Sequence, residues 1–275
     1  MARYGMVMDL DRCIGCYNCQ IACKDEHVGN DFPPISKAQP LFGHFWMSLK
    51  EIERKLTPSR IRVTTIPVLC QQCNDAPCEK AAKDGAITRR ADGIVIIDPI
   101  KARGQKQLVA ACPYGAIYWN EEQSLAQKCS FCAHLLDDGW REPRCVQTCP
   151  AGCMNFGDLD DPQSKVAQMA KAAEPYHAEF NAKPNVLYLG LPKRHVSGRV
   201  LLADKDEWAS VASVSLISRA GEQSTSTDAF GEFDFAGVDD QACTLRIQCP
   251  GYRAHSVEVK LERDITYVGD IALAR

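Results

Sequence analysis

The chain has 275 residues, 45% hydrophobic and 24% charged, a balance typical of a folded protein with one large or two ordinary domains. A formal net charge of −3 and an isoelectric point near 6.1 give no indication of binding to nucleic acid or to an acidic membrane surface. Fifteen cysteines, an odd number, argue against a framework built only of disulfides. They favour metal or cluster chemistry under reducing conditions.

The chain contains no run of the roughly 18 apolar residues that a transmembrane helix requires. The short segment before Cys13 leaves no room for the apolar core of a signal peptide. We therefore expect a cytoplasmic protein, although export together with a partner would leave no trace in this sequence.

The first motif is Cys13-x2-Cys16-x2-Cys19-x3-Cys23. Cysteines this close in sequence cannot all pair in disulfides without strain, and zinc sites usually draw on two separated cysteine pairs. The spacing is that of bacterial ferredoxins, in which the first three thiolates hold one [4Fe-4S] cluster and the fourth reaches a second cluster. Cys23 therefore requires a partner motif elsewhere in the chain.

A loop-rich insertion follows, and residues 44–53 and 60–67 are predicted to form two strands. The first of these is ambiguous, because residues 48–56 could equally form a helix. A third strand is predicted at residues 93–97, where four apolar residues follow Gly93.

The second motif, within residues 70–82, has three cysteines and an alanine at the fourth position. The third motif, within residues 102–113, keeps only its last cysteine, which precedes a proline as in ferredoxins. The fourth motif, within residues 129–150, has four cysteines and the same final proline. The four motifs together supply twelve cysteines, enough for three [4Fe-4S] clusters.

If the fourth cysteine of each motif crosses over to the cluster of its partner motif, the twelve cysteines fall into three ligand sets. The first set is Cys13, Cys16, Cys19 and Cys149. The second set is Cys23, Cys129, Cys132 and Cys145. The third set is Cys70, Cys73, Cys78 and Cys112.

A fourth set would use positions 82, 102, 105 and 108, and none of these is a cysteine. Random loss of cysteines would not respect the crossover pattern, so the pattern supports both the pairing and the count of three. The remaining cysteines, Cys153, Cys243 and Cys249, lack ligand spacing and are predicted to be structural thiols.

Beyond the motifs, a helix is predicted from Lys165 to Ala173, with Asp161 as its N-cap. From His195 onwards short β segments recur at turn-sized intervals, which predicts a small β-sandwich or barrel. These segments are 198–202, 212–217, 233–235, 244–247, 255–261 and 265–271. His195 and His255 are isolated and are predicted to be surface or capped residues, not metal ligands.

The array resembles the iron–sulfur subunits of the dimethyl sulfoxide reductase superfamily of molybdopterin enzymes. The resemblance covers about two-thirds of the chain and includes Cys112-Pro113-Tyr114-Gly115-Ala116-Ile117 and Lys128-Cys129-Ser130-Phe131-Cys132. It implies an α+β fold of two nested ferredoxin-like modules in residues 1–194. The vacant fourth site is a departure from many members of this family.

The tail, residues 195–275, resembles a carboxypeptidase-regulatory or transthyretin-like β domain. Three clusters followed by such a tail are most similar to the transhydroxylase branch of the family, whose members move hydroxyl groups between phenols. The resemblance implies an electron-transfer subunit without catalytic residues of its own. It also implies a large catalytic partner that carries molybdopterin with molybdenum or tungsten.

Three other functions remain open at this level. The chain could be the relay subunit of another molybdopterin oxidoreductase, a free-standing polyferredoxin, or a zinc-dependent scaffold. For the β tail, contact with another subunit is favoured over carbohydrate binding, since the sequence offers no evident aromatic platform for a sugar.

Overall fold

The structure, a computed structural model, describes residues 2–238, 240–261 and 264–275. Contacts divide the chain into two compact units, which are described separately. The first unit comprises Met1–Glu51 and Thr65–Leu191, and the second comprises Ile52–Thr64 and Pro192–Arg275. No helix in the described ranges is both long and apolar enough to cross a bilayer.

The strands of the first unit are short, and all but one of its helices are shorter than two turns. Its strands are β1 (Tyr4–Asp9), β4 (Ile87–Arg89), β5 (Val95–Ile97), β6 (Tyr118–Asn120), β7 (Leu125–Gln127), β8 (Met154–Asp158), β9 (Glu174–Pro175) and β10 (Val186–Leu189). Its helices are α1 (Asn18–His27), α2 (Pro77–Ala81), α3 (Gln107–Ala110), α4 (Ala133–Asp137), α5 (Arg144–Gln147) and α6 (Lys165–Ala170). A hairpin shared by both units consists of β2 (Ser48–Lys55) and β3 (Ile61–Val68).

Strand β1 is central to the first unit. It pairs in parallel with β10 and antiparallel with β8, in a four-stranded sheet of order β8-β1-β10-β9. Its apolar residues do not alternate with polar ones, and Met6, Val7 and Met8 are all fully buried. A continuous apolar run is expected of a strand that is covered on both faces. Because Asp9 ends this strand, the first cysteine motif follows the carboxyl end of a central strand of the sheet.

The remaining strands of the cysteine-bearing regions form two-stranded hairpins. Strand β4 pairs with β5, and β6 pairs with β7, both antiparallel. The ambiguous segment 48–56 is a strand for most of its length, not a helix. Its exposed tip, residues 52–64, clusters with the second unit, whereas the sequence pattern assigned it to the first domain.

Helix α6 ends earlier than predicted, and its N-cap lies three residues later. The N-cap is Ser164, whose Oγ accepts a hydrogen bond from the Ala167 amide at 3.1 Å. Asp161 instead accepts from the Gln163 amide at 2.9 Å, which closes a turn before the helix. Serine and aspartate are both favoured at N-cap positions. Which of the two caps the helix therefore depends on where the chain leaves the preceding strand β8.

The second unit is composed of strands and turns. Its strands are β11 (His195–Leu202), β12 (Glu207–Trp208), β13 (Ser213–Ser218), β14 (Gly221–Ser226), β15 (Glu232–Ala236), β16 (Ala242–Gln248), β17 (His255–Lys260) and β18 (Ile265–Leu273). One sheet is antiparallel with order β14-β13-β16-β17. In the other sheet, β11 pairs with β12, β15 and β18, the last in parallel.

Alternating apolar residues of both sheets form the core of this unit. Val214 and Leu216 of β13 and Leu245 and Ile247 of β16 are fully buried, and polar residues lie between them. This period of two is the pattern that predicted the strands. Strand β14 escaped prediction because its sequence, GEQSTS, contains no apolar residue, and it forms only through pairing with β13.

Of the two alternatives predicted for His195, a surface or a capped residue, the structure excludes the first. Its side chain is 4% exposed, and its Nε2 lies 3.7 Å from Oδ2 of Asp234. Burial lowers the pKa of His195, so the ring is neutral at pH 7. His255 is exposed at the start of β17.

Candidate iron–sulfur sites

The first cysteine motif forms a loop that leads into helix α1. Gly15 and Tyr17 both adopt positive φ angles, +64° and +62°, which turn the loop sharply. Cys19 and Cys23 then lie one helical turn apart, so their side chains share one face of α1. Both are buried, whereas Cys16 at the tip of the loop is exposed.

The structure brings the four cysteines of the first set together. They line an open-sided space of about 310 Å³. Burial, followed by the nearby thiols of Cys13, Cys149 and Cys16, raises the pKa of Cys19 to about 12. Cys149 is more than a hundred residues away in sequence and reaches this space through the turn after α5.

The second set is the most deeply buried of the three. Burial raises the pKa of Cys23, and the next causes are the nearby thiols of Cys129 and Cys132. Burial likewise raises the pKa of Cys145, again with the other three thiols of the set among the causes. Cys23 of the first motif thus lies with the cysteines of the fourth motif.

The third set joins the second motif to the single cysteine of the third. Cys70, Cys73, Cys78 and Cys112 line a common space together with Tyr114 and Lys128. Burial raises the pKa of Cys73, and the neighbouring thiols of Cys70, Cys112 and Cys78 add to the effect.

The three sets lie in series. The thiol of Cys19 in the first set is close enough to raise the pKa of Cys145 in the second, after burial and nearer thiols. In the same way the thiol of Cys70 in the third set is, after burial, the largest cause that raises the pKa of Cys129 in the second. The second set is therefore next to both of the others.

The donor atoms suit [4Fe-4S] clusters. Buried neighbouring thiols cannot all ionise unaided, as their raised pKa values indicate. Iron binds the thiolate form and supplies the positive charge that four buried thiolates need. All fifteen cysteines are free of disulfides, and within the described ranges no three His, Cys, Asp or Glu side chains converge as a single-metal site would require.

Two backbone amides donate hydrogen bonds to ligand sulfur atoms, and a histidine ring lies near a third. The amides of Phe131 and Ala116 each lie 3.4 Å from a sulfur, those of Cys129 and Cys112 respectively. The ring Nε2 of buried His27 lies 3.9 Å from the sulfur of Cys132. Hydrogen bonds to ligand sulfur stabilise negative charge there and are one determinant of reduction potential.

Cys153, predicted to be a structural thiol, lines the same space as the first set. It is 1% exposed, and after burial the nearby thiol of Cys13 is the largest cause that raises its pKa. Its position four residues after Cys149 was the only sequence signal for this proximity. The other extra cysteines, Cys243 and Cys249, pack in or against the core of the second unit.

The positions of the missing fourth set are occupied by packed side chains. Ala102 and Leu108 are fully buried. The side-chain amide of Gln105 accepts a hydrogen bond from the Lys83 amide at 3.0 Å and donates to the Lys83 and Lys101 carbonyls at 3.2 and 2.9 Å. Position 105 is thereby tied to the residue that follows position 82.

A ferredoxin-like iron–sulfur domain followed by a sheet-rich region is the class of protein that these features define. A family model described as a 4Fe-4S dicluster domain matches residues 61–159. A second model, described as a carboxypeptidase regulatory-like domain, matches residues 195–274.

Curated relatives identify the family. The chain is 36% identical to the pyrogallol hydroxytransferase small subunit of Pelobacter acidigallici, over 99% of this chain and 100% of that protein. It is 34% identical to a subunit of the tetrathionate reductase of Salmonella typhimurium, over 76% of this chain and 81% of that protein. It is 30% identical to a component of the anaerobic dimethyl sulfoxide reductase of Escherichia coli, over 67% of this chain and 87% of that protein.

The chain belongs to the family of iron–sulfur subunits of the dimethyl sulfoxide reductase superfamily of molybdopterin oxidoreductases. It is thus the non-catalytic, iron–sulfur part of an enzyme complex.

Proposed function

We propose that this chain carries three [4Fe-4S] clusters and serves a catalytic molybdopterin subunit that transfers hydroxyl groups between phenols. The observation that carries the proposal is the grouping of twelve cysteines into three sets in series. When bound, each cluster would accept and release one electron. The full-length similarity to the pyrogallol hydroxytransferase small subunit supports the choice of reaction.

The ligand assignment follows the three sets. Cys13, Cys16, Cys19 and Cys149 would hold the first cluster, and Cys23, Cys129, Cys132 and Cys145 the second. Cys70, Cys73, Cys78 and Cys112 would hold the third. The packing of Gln105 and Leu108 supports a vacant fourth site in the second of two nested ferredoxin-like modules. We also propose two domains, residues 1–194 and 195–275, of which the second contacts a subunit.

The residues of the first unit perform distinct tasks in this function. Burial of the second set excludes water, and the amides of Phe131 and Ala116 hold ligand sulfurs of the second and third sets in place. The first set differs because Cys16 is exposed. Electrons would therefore be exchanged with the partner through the surface around Cys16.

The surface around Cys16 also has the composition of a docking site. Ile14 is 69% exposed and Ile21 is 54% exposed, and Tyr17 lies between them in sequence. Three exposed apolar side chains within one short segment favour an interaction surface, whereas single ones are common anywhere. We assign this surface to the catalytic subunit.

Docking can be tested by co-purification of the complex. We expect the unaltered chain to co-purify with a molybdenum- or tungsten-containing subunit and Ile21→Glu to reduce recovery of that subunit at least tenfold. Iron bound per chain should not change, because Ile21 is not in a cluster space. The control is Ile100→Glu, at a residue 83% exposed in the same unit. Equal recovery with both variants would place the partner elsewhere, and a stable, iron-loaded monomer would favour a free-standing polyferredoxin.

A second measurement tests the reaction class. Hydroxyl transfer between phenols involves no net oxidation, so this chain would adjust or restore the oxidation state of its partner without supplying electrons in every turnover. We expect freeze-quenched electron paramagnetic resonance (EPR) spectra to show a constant fraction of reduced cluster during steady turnover with phenols. If the clusters are instead reduced and reoxidised in each turnover, and turnover requires a third protein, the complex is a respiratory reductase.

A further inference from the structure

Lys128 is a buried cation between the second and third sets. It follows strand β7, is 4% exposed, and lines the space formed by the cysteines of the third set. Its Nζ donates hydrogen bonds to two carbonyl oxygens, those of Val95 and, at 3.0 Å, Cys129. Among the described residues it has no carboxylate partner, so carbonyl dipoles alone face its ammonium group.

A buried charge without a counter-ion is costly, because neighbouring dipoles replace only part of the lost hydration. The neighbouring groups that carry negative charge when they bind iron are the cysteines themselves. The Lys128 side chain lines the same space as the four cysteines of the third set, and its Nζ donates to the carbonyl of Cys129, a member of the second set.

We propose that Lys128 is the counter-ion of the third cluster and raises its reduction potential. The proposal rests on the proposed function, because it requires a cluster held by the third set. A cubane with four thiolate ligands is an anion, and its reduction adds a further negative charge. A fixed, buried ammonium group stabilises the reduced form more than the oxidised one. Lys128 is thus a positioning residue. It favours the electron on the third cluster, which lies at the end of the series farthest from Cys16.

A purely structural role is the alternative, since the two hydrogen bonds of Lys128 also join strand β5 to the start of the fourth motif. The structural and the electrostatic role predict different effects of replacing Lys128 by glutamine. A structural role requires a hydrogen-bond donor, which glutamine retains. An electrostatic role requires the positive charge, which glutamine lacks.

The test is a redox titration of the intact complex, followed by EPR, for Lys128→Gln. The signal of the third cluster is identified as the one that Cys78→Ser alters. We expect the variant to keep all its iron and to lower the reduced-to-oxidised ratio of that cluster at least tenfold at fixed potential, a shift of about 59 mV. The first cluster should shift less. Exposed Lys101, replaced by glutamine, is the matched control and should shift neither.

An unchanged potential in an iron-complete Lys128→Gln protein would overturn the inference and leave the three-cluster function intact. If that variant instead loses the third cluster, Lys128→Arg decides. Recovery of the cluster near its original potential would support the counter-ion role, whereas equal loss would show that the site demands the lysine shape and would overturn it. Unaltered protein with less than about twelve iron atoms per chain would contradict the proposed function itself.

Discussion

Replacing Cys23 by alanine is expected to remove the second cluster and leave the first in place. Iron should fall from about twelve to about eight atoms per chain, because one four-iron cluster loses a ligand. The physical reason is that the thiol of Cys23 lies among those of the fourth motif, although its own motif provides the first set. The EPR spectrum of Cys23→Ala should therefore match that of Cys145→Ala.

Cys19 offers a matched control for this experiment, because it lies on the same helix one turn earlier and is equally buried. Cys19→Ala should also lose about four iron atoms, but its spectrum should match that of Cys149→Ala. A match between Cys23→Ala and Cys149→Ala would mean that the first motif serves one cluster only. The crossover assignment would then be wrong.

The cysteine sets could be inferred from sequence because cluster ligation imposes short, fixed spacings on the chain. Three ligands come from one motif, whose second loop can be long as between Cys132 and Cys145, and the fourth comes from a distant motif, so counting residues indicates both. The same logic could not reveal that Cys153 lines the space of the first set, because this depends on how the turn after Cys149 folds back against Cys13. Lys128 was visible only as part of a family motif, and its burial became apparent only in the structure.

Strands could be predicted where one face is buried in the core. They could not be predicted where a strand forms only through pairing with a neighbouring strand. The alternating apolar residues of β13 and β16 predicted both strands, whereas polar β14 gave no signal. The tip of the β2–β3 hairpin illustrates a further limit. Local pattern predicted the two strands, but the assignment of residues 52–64 to the second unit depends on contacts with residues more than a hundred positions away.

Those contacts converge on Glu232, a side chain that is 2% exposed on strand β15. Its carboxylate accepts hydrogen bonds from the Thr57 hydroxyl at 2.5 Å and from the Ser59 hydroxyl and amide at 2.5 and 3.1 Å. The guanidinium of Arg60 lies 3.8 Å away. Burial by itself would raise the pKa of Glu232, but the donors from Ser59 and Thr57 and the charge of Arg60 outweigh it, and the pKa is lowered.

The lowered pKa determines the direction of the pH dependence. A carboxylate whose folded-state pKa lies below its unfolded value, about 4.3 for glutamate, stabilises the fold above that value. This stabilisation is lost as the pH falls through the folded-state pKa. Protection of residues 52–64 from hydrogen exchange should therefore be constant from neutral pH down to about pH 4 and should decrease below it.

Glu232→Ala is expected to destabilise the hairpin tip by about 3 kcal/mol, since it leaves two hydroxyl groups and an amide without their charged acceptor. Hydrogen–deuterium exchange of the full chain at pH 7 should show this as faster exchange in residues 52–64, with little change in β1. Glu232→Gln should lose less stability and should also lack the decrease at acid pH, because it has no carboxylate to protonate. The control is Glu222→Ala on exposed strand β14, where a change below about 0.5 kcal/mol is expected. If Glu232→Ala leaves exchange in residues 52–64 unchanged, the buried carboxylate does not hold the tip, and the apolar contacts of the second unit alone must do so.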